Sequence, residues 1–318
     1  MSRVHDALRR AELAGALSPP QAHFHTPPPS APAAAPQEAA AAPPAAVETL
    51  PDEQDFLGQE FPGQDFLGKI QEVPYNPSSD ALLIDPAHPH EAPMEEFRTL
   101  RTRLNHLKTL QPLHSVVITS PSPAEGKSLS AANLALAESI LDGNNTLLAD
   151  FDFRRPILHS YFGLDRSPGI TDYLLGRVPL EKAIRRIAGT SLYIMPAGEA
   201  VINPLELLNL KGAKLLLDRL PTWFNWIICD SPPLLFAADA NLLSTLCHGT
   251  LLVVRIGHTT VDSVSRAMQS LCNNNVLGVV VNAARRGELY SKYTYYHSYY
   301  ATEEQPENGA SATPESSA

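Results

Sequence analysis

The sequence predicts an α/β fold in which helices cover both faces of a mostly parallel, doubly wound sheet. Six short runs are almost continuously apolar, which is typical of parallel strands that are buried on both faces. Stretches with helical spacing of apolar residues separate them, as the crossovers between parallel strands require. The predicted strands, in chain order, are residues 116–119, 146–149, 192–195, 226–229, 250–255 and 276–281.

The predicted helices lie between these strands, and one precedes the first. Prolines at 93 and 204 stand at helix starts, where a missing N–H costs nothing. The helices, in order, are residues 93–107, 128–141, 180–187, 204–220, 238–246 and 261–273.

Composition divides the 318 residues into three parts. Sixteen of the 29 prolines fall before residue 95, among Ala, Gln and Ser, and such a segment cannot build a packed core. We expect a short N-terminal helix and a disordered linker over residues 1–84, a folded domain over 85–289, and a disordered tail over 290–318. The linker holds a pentapeptide repeat, QDFLG, at 54–58 and 64–68.

Charge and cysteine content narrow the class of protein. The net charge of −10 belongs to the ends, since residues 81–300 carry 20 basic and 19 acidic side chains. The folded part therefore gives no sign of nucleic-acid binding. Cys229 lies in an apolar run and is expected to be a reduced, buried thiol. Without a signal peptide or a long apolar run, the chain is expected to be cytoplasmic.

A phosphate-binding loop follows the first predicted strand. Phosphate binding needs backbone N–H groups, a helix N-terminus and a cation, and the loop at 120–128 ends in Gly126, Lys127 and Ser128. Lys127 would contact the β and γ phosphates, and the Ser128 hydroxyl would bind Mg²⁺. Position 121 is Pro where the usual pattern has Gly. The sheet is thus expected to be of the P-loop NTPase type.

Acidic residues follow two other apolar strands. Asp150 and Asp152 end the second strand, and Asp230 ends the fourth. Because ligands of such sheets bind at the carboxyl ends of the strands, we expect all three to converge on the phosphate-binding loop. A hydrated Mg²⁺ suits this set, since it binds few carboxylates and keeps several waters.

A tyrosine cluster follows the last strand. It holds six of the ten tyrosines, and phosphorylation would give each about −1.5 to −2 charges. Stacking on a partner is the alternative use of such a segment. The tyrosines are Tyr290, Tyr293, Tyr295, Tyr296, Tyr299 and Tyr300.

These motifs in this order resemble the bacterial tyrosine kinases of capsule and exopolysaccharide synthesis. The resemblance covers about residues 85–300 and runs through AEGKS at 124–128, LLADFDFRRP at 147–156, IICDSPP at 227–233 and VLGVVVN at 276–282, followed by the tyrosines. It implies an ATP- and Mg²⁺-dependent autokinase that phosphorylates its own tyrosine cluster.

The resemblance also assigns residues to roles. It implies catalysis by Lys127, Asp150, Asp152 and Asp230, with Mg²⁺ held by Ser128, Asp150 and Asp230. Asp150 or its neighbour would be the base for the tyrosine hydroxyl. The implied nucleotide-binding residues are Ala124, Glu125, Gly126, Lys127, Ser128, Leu129, Arg154 and Asn282.

Partners follow from the same resemblance. Glu95, Arg98 and Arg101 match the family's E-x-x-R-x-x-R motif, which implies a ring-shaped homo-oligomer, although a solvated helix face is the alternative. The other implied partners are the cytosolic tail of a separate transmembrane co-polymerase, which would recruit the chain to the inner membrane, and a protein-tyrosine phosphatase.

Two other classes fit parts of the sequence. Min and partitioning ATPases share the sheet and the Walker motifs, but their signature Lys is replaced here by Ser122. A non-catalytic, ATP-binding regulator of polysaccharide export stays open, because a misplacement of about 1 Å can abolish most of the rate.

Overall fold

The computed structural model describes residues 63, 65–78, 81–85, 93–271 and 276–284. Within them one sheet has the strand order β1-β4-β5-β3-β6-β2-β7-β8. All neighbouring strands are parallel except β4 and β5. The strands are β1 (Gln71–Val73), β2 (Ser115–Thr119), β3 (Thr146–Asp150), β4 (Arg185–Ile187), β5 (Leu192–Met195), β6 (Trp226–Asp230), β7 (Gly249–Arg255) and β8 (Val276–Asn282).

Helices cover both faces of this sheet, as predicted. Alternate residues of β2 belong to different apolar clusters: Val117 joins one, and Val116 and Ile118 join the other. Since strand side chains alternate between faces, the two clusters lie on opposite sides of the sheet. The α-helices are Phe66–Lys69, Met94–Leu110, Lys127–Ser139, Leu158–Tyr161, Ile170–Leu174, Leu180–Ala183, Pro204–Asn209, Lys211–Arg219, Ala238–Leu246 and Val261–Ser270.

Two predicted helices differ from the observed ones. The helix predicted over 180–187 ends at Ala183, and Ile184 is extended and leads into β4. Burial of Ile184 and Ile187 in opposite clusters explains why this stretch is drawn into the sheet. The helix predicted over 204–220 is broken at Leu210, whose φ of −62° and ψ of 144° are extended.

The predicted linker is wrong for its last part, because residues 66–73 belong to the fold. Phe66 is fully buried, and its ring centroid lies 4.6 Å from that of Trp223. Ile70 is also buried, and β1 pairs with β4. This second copy of the repeat therefore anchors an edge of the sheet.

Several predictions concern residues outside those described. They are the short N-terminal helix, the first copy of the repeat at 54–58, and the tail with its tyrosine cluster. Among the residues that are described, no helix is long and apolar enough to cross a membrane.

Candidate nucleotide-binding and catalytic site

The phosphate-binding loop joins β2 to the helix Lys127–Ser139 and has an unusual backbone. Gly126 has a φ of 91° and Ala124 a φ of 61°, both in the left-handed region that glycine tolerates best. A Cβ on Gly126 would lie 2.0 Å from Nδ2 of Asn282. The glycine is therefore required both by conformation and by space. Leu129 lies half-buried in the first turn of the helix.

Side chains from the ends of β7 and β8 hold this loop in place. Asn282 donates from Nδ2 to the carbonyl of Glu125 at 2.9 Å. Thr259 donates to the Glu125 carboxylate at 2.6 Å, and that carboxylate also accepts the Ser122 N–H. Arg255 donates to the Ala124 carbonyl at 3.2 Å. Asn282 and Glu125 are among the nucleotide-binding residues that the resemblance implies, whereas Thr259 and Arg255 were assigned no role from the sequence.

The predicted acids converge on Lys127. Its ammonium donates to Asp152 Oδ2 at 2.8 Å, lies 3.2 Å from the Ser128 hydroxyl and lies 3.8 Å from Asp230 Oδ1. Asp150 is the direct register partner of Asp230 across β3 and β6. Burial alone would lower the pKa of Lys127, but Asp230 and Asp152 outweigh it and raise that pKa. The lysine therefore stays charged in the site.

Asp150 is the last residue of β3 and supports the turn that follows this strand. Its Oδ2 accepts the backbone N–H groups of Ile157 and Leu158, and its Oδ1 accepts that of Asp152. Burial, together with the charge of Asp230, raises the pKa of Asp150 above its usual range. Its oxygens thus fix the backbone that places Asp152.

Asp230 is the side chain best suited to a metal. It is fully buried, and neither oxygen has a hydrogen bond of good geometry within the described part of the chain, although the Ser128 hydroxyl and the Ser231 N–H lie close to it. Burial raises the pKa of Asp230 to about 6 against the opposing charge of Lys127. A buried carboxylate whose nearest cation is an ammonium at 3.8 Å is costly unless a second cation or a water meets it. Together with Ser128, this carboxylate fits Mg²⁺.

The donor set agrees with the coordination habits of Mg²⁺. The residues that the structure describes contain no group of three His, Cys, Asp or Glu side chains able to hold a metal. Mg²⁺ does not need one, because it is held by one or two carboxylates, waters and substrate phosphates.

Arg154 lies at the mouth of the site and is held by Asp239, a residue to which the sequence motifs assign no role. Its Nε donates to Asp239 Oδ2 at 2.7 Å and its Nη2 to Oδ1 at 3.3 Å. Asp239 is buried in the first turn of the helix Ala238–Leu246. Arg154 borders a cavity of about 540 Å³ that Lys127, Ser128 and Asp152 also line.

The charged motif on the helix Met94–Leu110 is divided between surface and interior. The exposed Glu95 forms an ion pair with the half-buried Arg98 at 3.7 Å. Arg101 instead donates to the carbonyl of Ala137, near the end of the helix that follows the phosphate-binding loop. Of the three predicted interface residues, Glu95 is therefore presented to solvent and Arg98 is half-buried. Arg101 joins two helices of one chain.

The fold and this site define a P-loop protein with a lysine and acidic residues at the phosphate end. No family model matches the chain. It is 34% identical over 224 residues to tyrosine-protein kinase YwqD of Bacillus subtilis, covering 70% of this chain and 92% of that protein. It is 33% identical to putative tyrosine-protein kinase EpsB of Ralstonia solanacearum, with 70% of this chain but 31% of that protein covered.

Solved structures resemble this fold as well. The chimerical protein CapA2B2 superposes with a TM-score of 0.62 and 28% identity, over 68% of this chain and 94% of that one. The kinase domain of Escherichia coli tyrosine kinase ETK superposes with a TM-score of 0.58 and 26% identity, over 72% of this chain and 97% of that one. The chain belongs to the bacterial tyrosine-protein kinases, and the enzyme class predicted from the sequence is confirmed.

Proposed function

We propose that this kinase transfers the γ-phosphoryl group of ATP to the tyrosine cluster of a second copy of itself. The observation that carries the proposal is the convergence of Asp152 and Asp230 on Lys127, with Lys127 and Asp152 at the wall of one cavity. Its acceptors would be the six tyrosines between positions 290 and 300.

Each charged group has a separate task in this proposal. Ser128 and Asp230 hold Mg²⁺, which when bound neutralises charge on the phosphate oxygens. Lys127 stabilises the negative charge that develops on the transferring group. Lys127 now pairs with Asp152 at 2.8 Å, so contact with a phosphate would compete with that ion pair and leave Asp152 free to accept a proton.

Asp152 is better placed than Asp150 to be the base for the tyrosine hydroxyl. Asp152 lines the cavity, whereas the oxygens of Asp150 accept three backbone N–H groups. A base must lie within hydrogen-bond reach of the proton it accepts. We therefore assign Asp152 as the base and Asp150 as its support.

Transfer between copies would use the exposed part of the helix Met94–Leu110. Glu95 is 72% exposed at its side chain, and its pair with Arg98 is available for exchange with a neighbouring subunit. We propose a homo-oligomer that assembles through this face and is activated by the cytosolic tail of a membrane co-polymerase. A phosphatase would reverse the tyrosine phosphorylation. The kinase would act in exopolysaccharide or capsule synthesis and export.

A mixing experiment tests transfer between copies. A full-length chain with all six cluster tyrosines changed to Phe would serve as the enzyme, and a Lys127→Met chain as the acceptor. With ATP and Mg²⁺, we expect phosphate on the Lys127→Met chain in the mixture and on neither chain alone. Intact mass separates the two chains. Transfer within one chain would give the opposite result. Wild type would then form phosphotyrosine both undiluted and diluted, and the mixture would form none.

The non-catalytic regulator makes the opposite prediction. ATP would bind or be hydrolysed, and no phosphotyrosine would form even with an activator tail shown to be bound. That outcome would overturn the autokinase and leave a nucleotide-dependent assembly switch.

A further inference from the structure

Phe236 is a large apolar side chain that the fold holds in solvent. It is 67% exposed, although Leu234 and Ala237 on either side of it in the chain are buried. Soluble proteins expose single apolar residues often, so exposure alone indicates nothing. The position of this ring beside the catalytic groups is what distinguishes it.

The backbone that carries Phe236 is fixed by hydrogen bonds. The N–H of Leu234 donates to the Ser120 carbonyl at 2.8 Å, and that of Leu235 donates to the Pro121 carbonyl at 3.3 Å. The N–H of Phe236 itself donates to the Pro233 carbonyl at 3.2 Å. The backbone that carries the ring is thus tied to the start of the phosphate-binding loop.

The cavity beside the ring has an apolar part and a charged part. Phe236, Pro232, Pro233 and Ile157 supply the apolar part. The charged part is formed by four side chains: Lys127, Asp152, Arg154 and Arg155. A tyrosine side chain has the same division, because its ring is apolar and its hydroxyl must reach the acid and the lysine.

We infer that Phe236 determines acceptor recognition by stacking on the ring of the incoming tyrosine. The inference rests on the proposed function and names the substrate contact of that site. Arg154, held by Asp239, and Arg155 would favour acceptors with anionic neighbours. The cluster meets this requirement, since Glu303 and Glu304 follow Tyr300 and phosphorylated tyrosines add further negative charge.

Adenine is the other planar ring that could stack on Phe236. Lys127 and Asp152, which line the same cavity, mark the phosphate end of the nucleotide, and the base lies at its opposite end. Acceptor and adenine binding predict different kinetic effects, so one experiment separates them.

The experiment uses full-length enzyme with the six cluster tyrosines changed to Ala, which leaves no competing rings there. Its acceptor is the Lys127→Met chain, and KM is measured for acceptor and for ATP. We expect Phe236→Ala to raise the acceptor KM by roughly tenfold, the value of one aromatic contact, with the ATP KM unchanged. Phe236→Trp should keep the acceptor KM near that of the parent enzyme.

Ile202→Ala is the matched control, because Ile202 is 69% exposed and does not line this cavity. Its acceptor KM should equal that of the parent enzyme. An unchanged acceptor KM in Phe236→Ala, or an ATP KM that rises in parallel, would overturn the inference.

A binding measurement separates this inference from the proposed function. A fluorescent peptide of residues 288–304 is titrated onto the same enzymes with a non-hydrolysable ATP analogue. If wild type forms no phosphotyrosine, the autokinase fails. A roughly tenfold weaker peptide affinity in Phe236→Ala would still establish the tyrosine-binding role, and equal affinities would overturn it.

Discussion

Asn282 donates a hydrogen bond from Nδ2 to the backbone carbonyl of Glu125 at 2.9 Å and so ties the end of β8 to the phosphate-binding loop. The contact is possible because the next residue is Gly126, where a Cβ would lie 2.0 Å from the same nitrogen. The edge of the sheet and the nucleotide site are therefore mechanically connected.

Gly126→Ala should lose nucleotide binding beyond its cost in stability. The residue would be strained at a φ of 91° and would displace Asn282. We expect ATP affinity to fall by roughly tenfold or more, as strain of roughly 1–3 kcal/mol implies, measured by titration with a fluorescent ATP analogue.

Gly143→Ala is the control that introduces backbone strain at a positive φ without a steric clash. Gly143 also has a positive φ, of 72°, but no atom lies within 4 Å of its added Cβ. It should lose stability by about 1–2 kcal/mol and keep its ATP affinity. Equal losses of ATP affinity in both variants would show that the contact with Asn282 is unimportant.

Phe66→Ala should destabilise the domain although residue 66 lies in the predicted linker. Its ring is fully buried and packs against Trp223, and replacing a buried Phe by Ala costs roughly 3–5 kcal/mol. Urea unfolding measures this loss. The identical pentapeptide at 54–58 supplies the control: Phe56→Ala should cost far less, and equal costs would show that packing against Trp223 is not the cause.

The buried strands could be predicted because each is a nearly continuous apolar run. The strands β1 and β4 could not, since Gln71, Glu72, Arg185 and Arg186 are polar residues of short strands near the sheet edge. Such strands are held by backbone pairing and by a few anchors such as Phe66, and neither leaves a periodic pattern.

Part of the site was equally predictable. The acids follow strand ends, and the sheet topology brings them to Lys127. The partner of Arg154 lies 85 residues away at Asp239, in a helix whose position depends on the whole fold. No local spacing indicates that pairing.

Arg154→Ala should be more destabilising than Asp239→Asn. Removing the arginine leaves a buried carboxylate unpaired, whereas removing the carboxylate frees a half-exposed arginine that water can solvate. We expect Arg154→Ala to lower the free energy of unfolding by an amount on the order of 2 kcal/mol. This is less than for a fully buried ion pair, because the Arg154 side chain is half-exposed. Thermal unfolding of the double variant should show part of that loss recovered. A double variant less stable than Arg154→Ala would contradict this account.

Glu138 should make stability fall as pH rises. Burial raises its pKa from 4.5 to about 7, although Asn105 and Asn144 donate hydrogen bonds to it. Because the folded state binds this proton more tightly than the unfolded state, the contribution is complete below pH 4.5 and is lost between pH 4.5 and 7. The difference between the two pKa values corresponds to a loss of about 3 kcal/mol in the free energy of unfolding.

Glu138→Gln removes that titration and should gain stability relative to wild type as pH rises from about 5 to about 8. Asp142→Asn removes the same charge from an exposed position nearby and is the control. Parallel stability profiles for wild type and Glu138→Gln, measured by urea unfolding, would contradict the assigned titration.

The central claim is tested most directly by the intact mass of purified full-length protein after incubation with ATP and Mg²⁺, with and without a candidate activator tail. Lys127→Met and the six-tyrosine-to-Phe variant are measured alongside, with Lys214→Met as a surface-lysine control. We predict a ladder of phosphate additions in wild type and Lys214→Met that is missing in the other two variants. ATP hydrolysis without any gain in mass, while the activator is bound, would contradict a tyrosine autokinase.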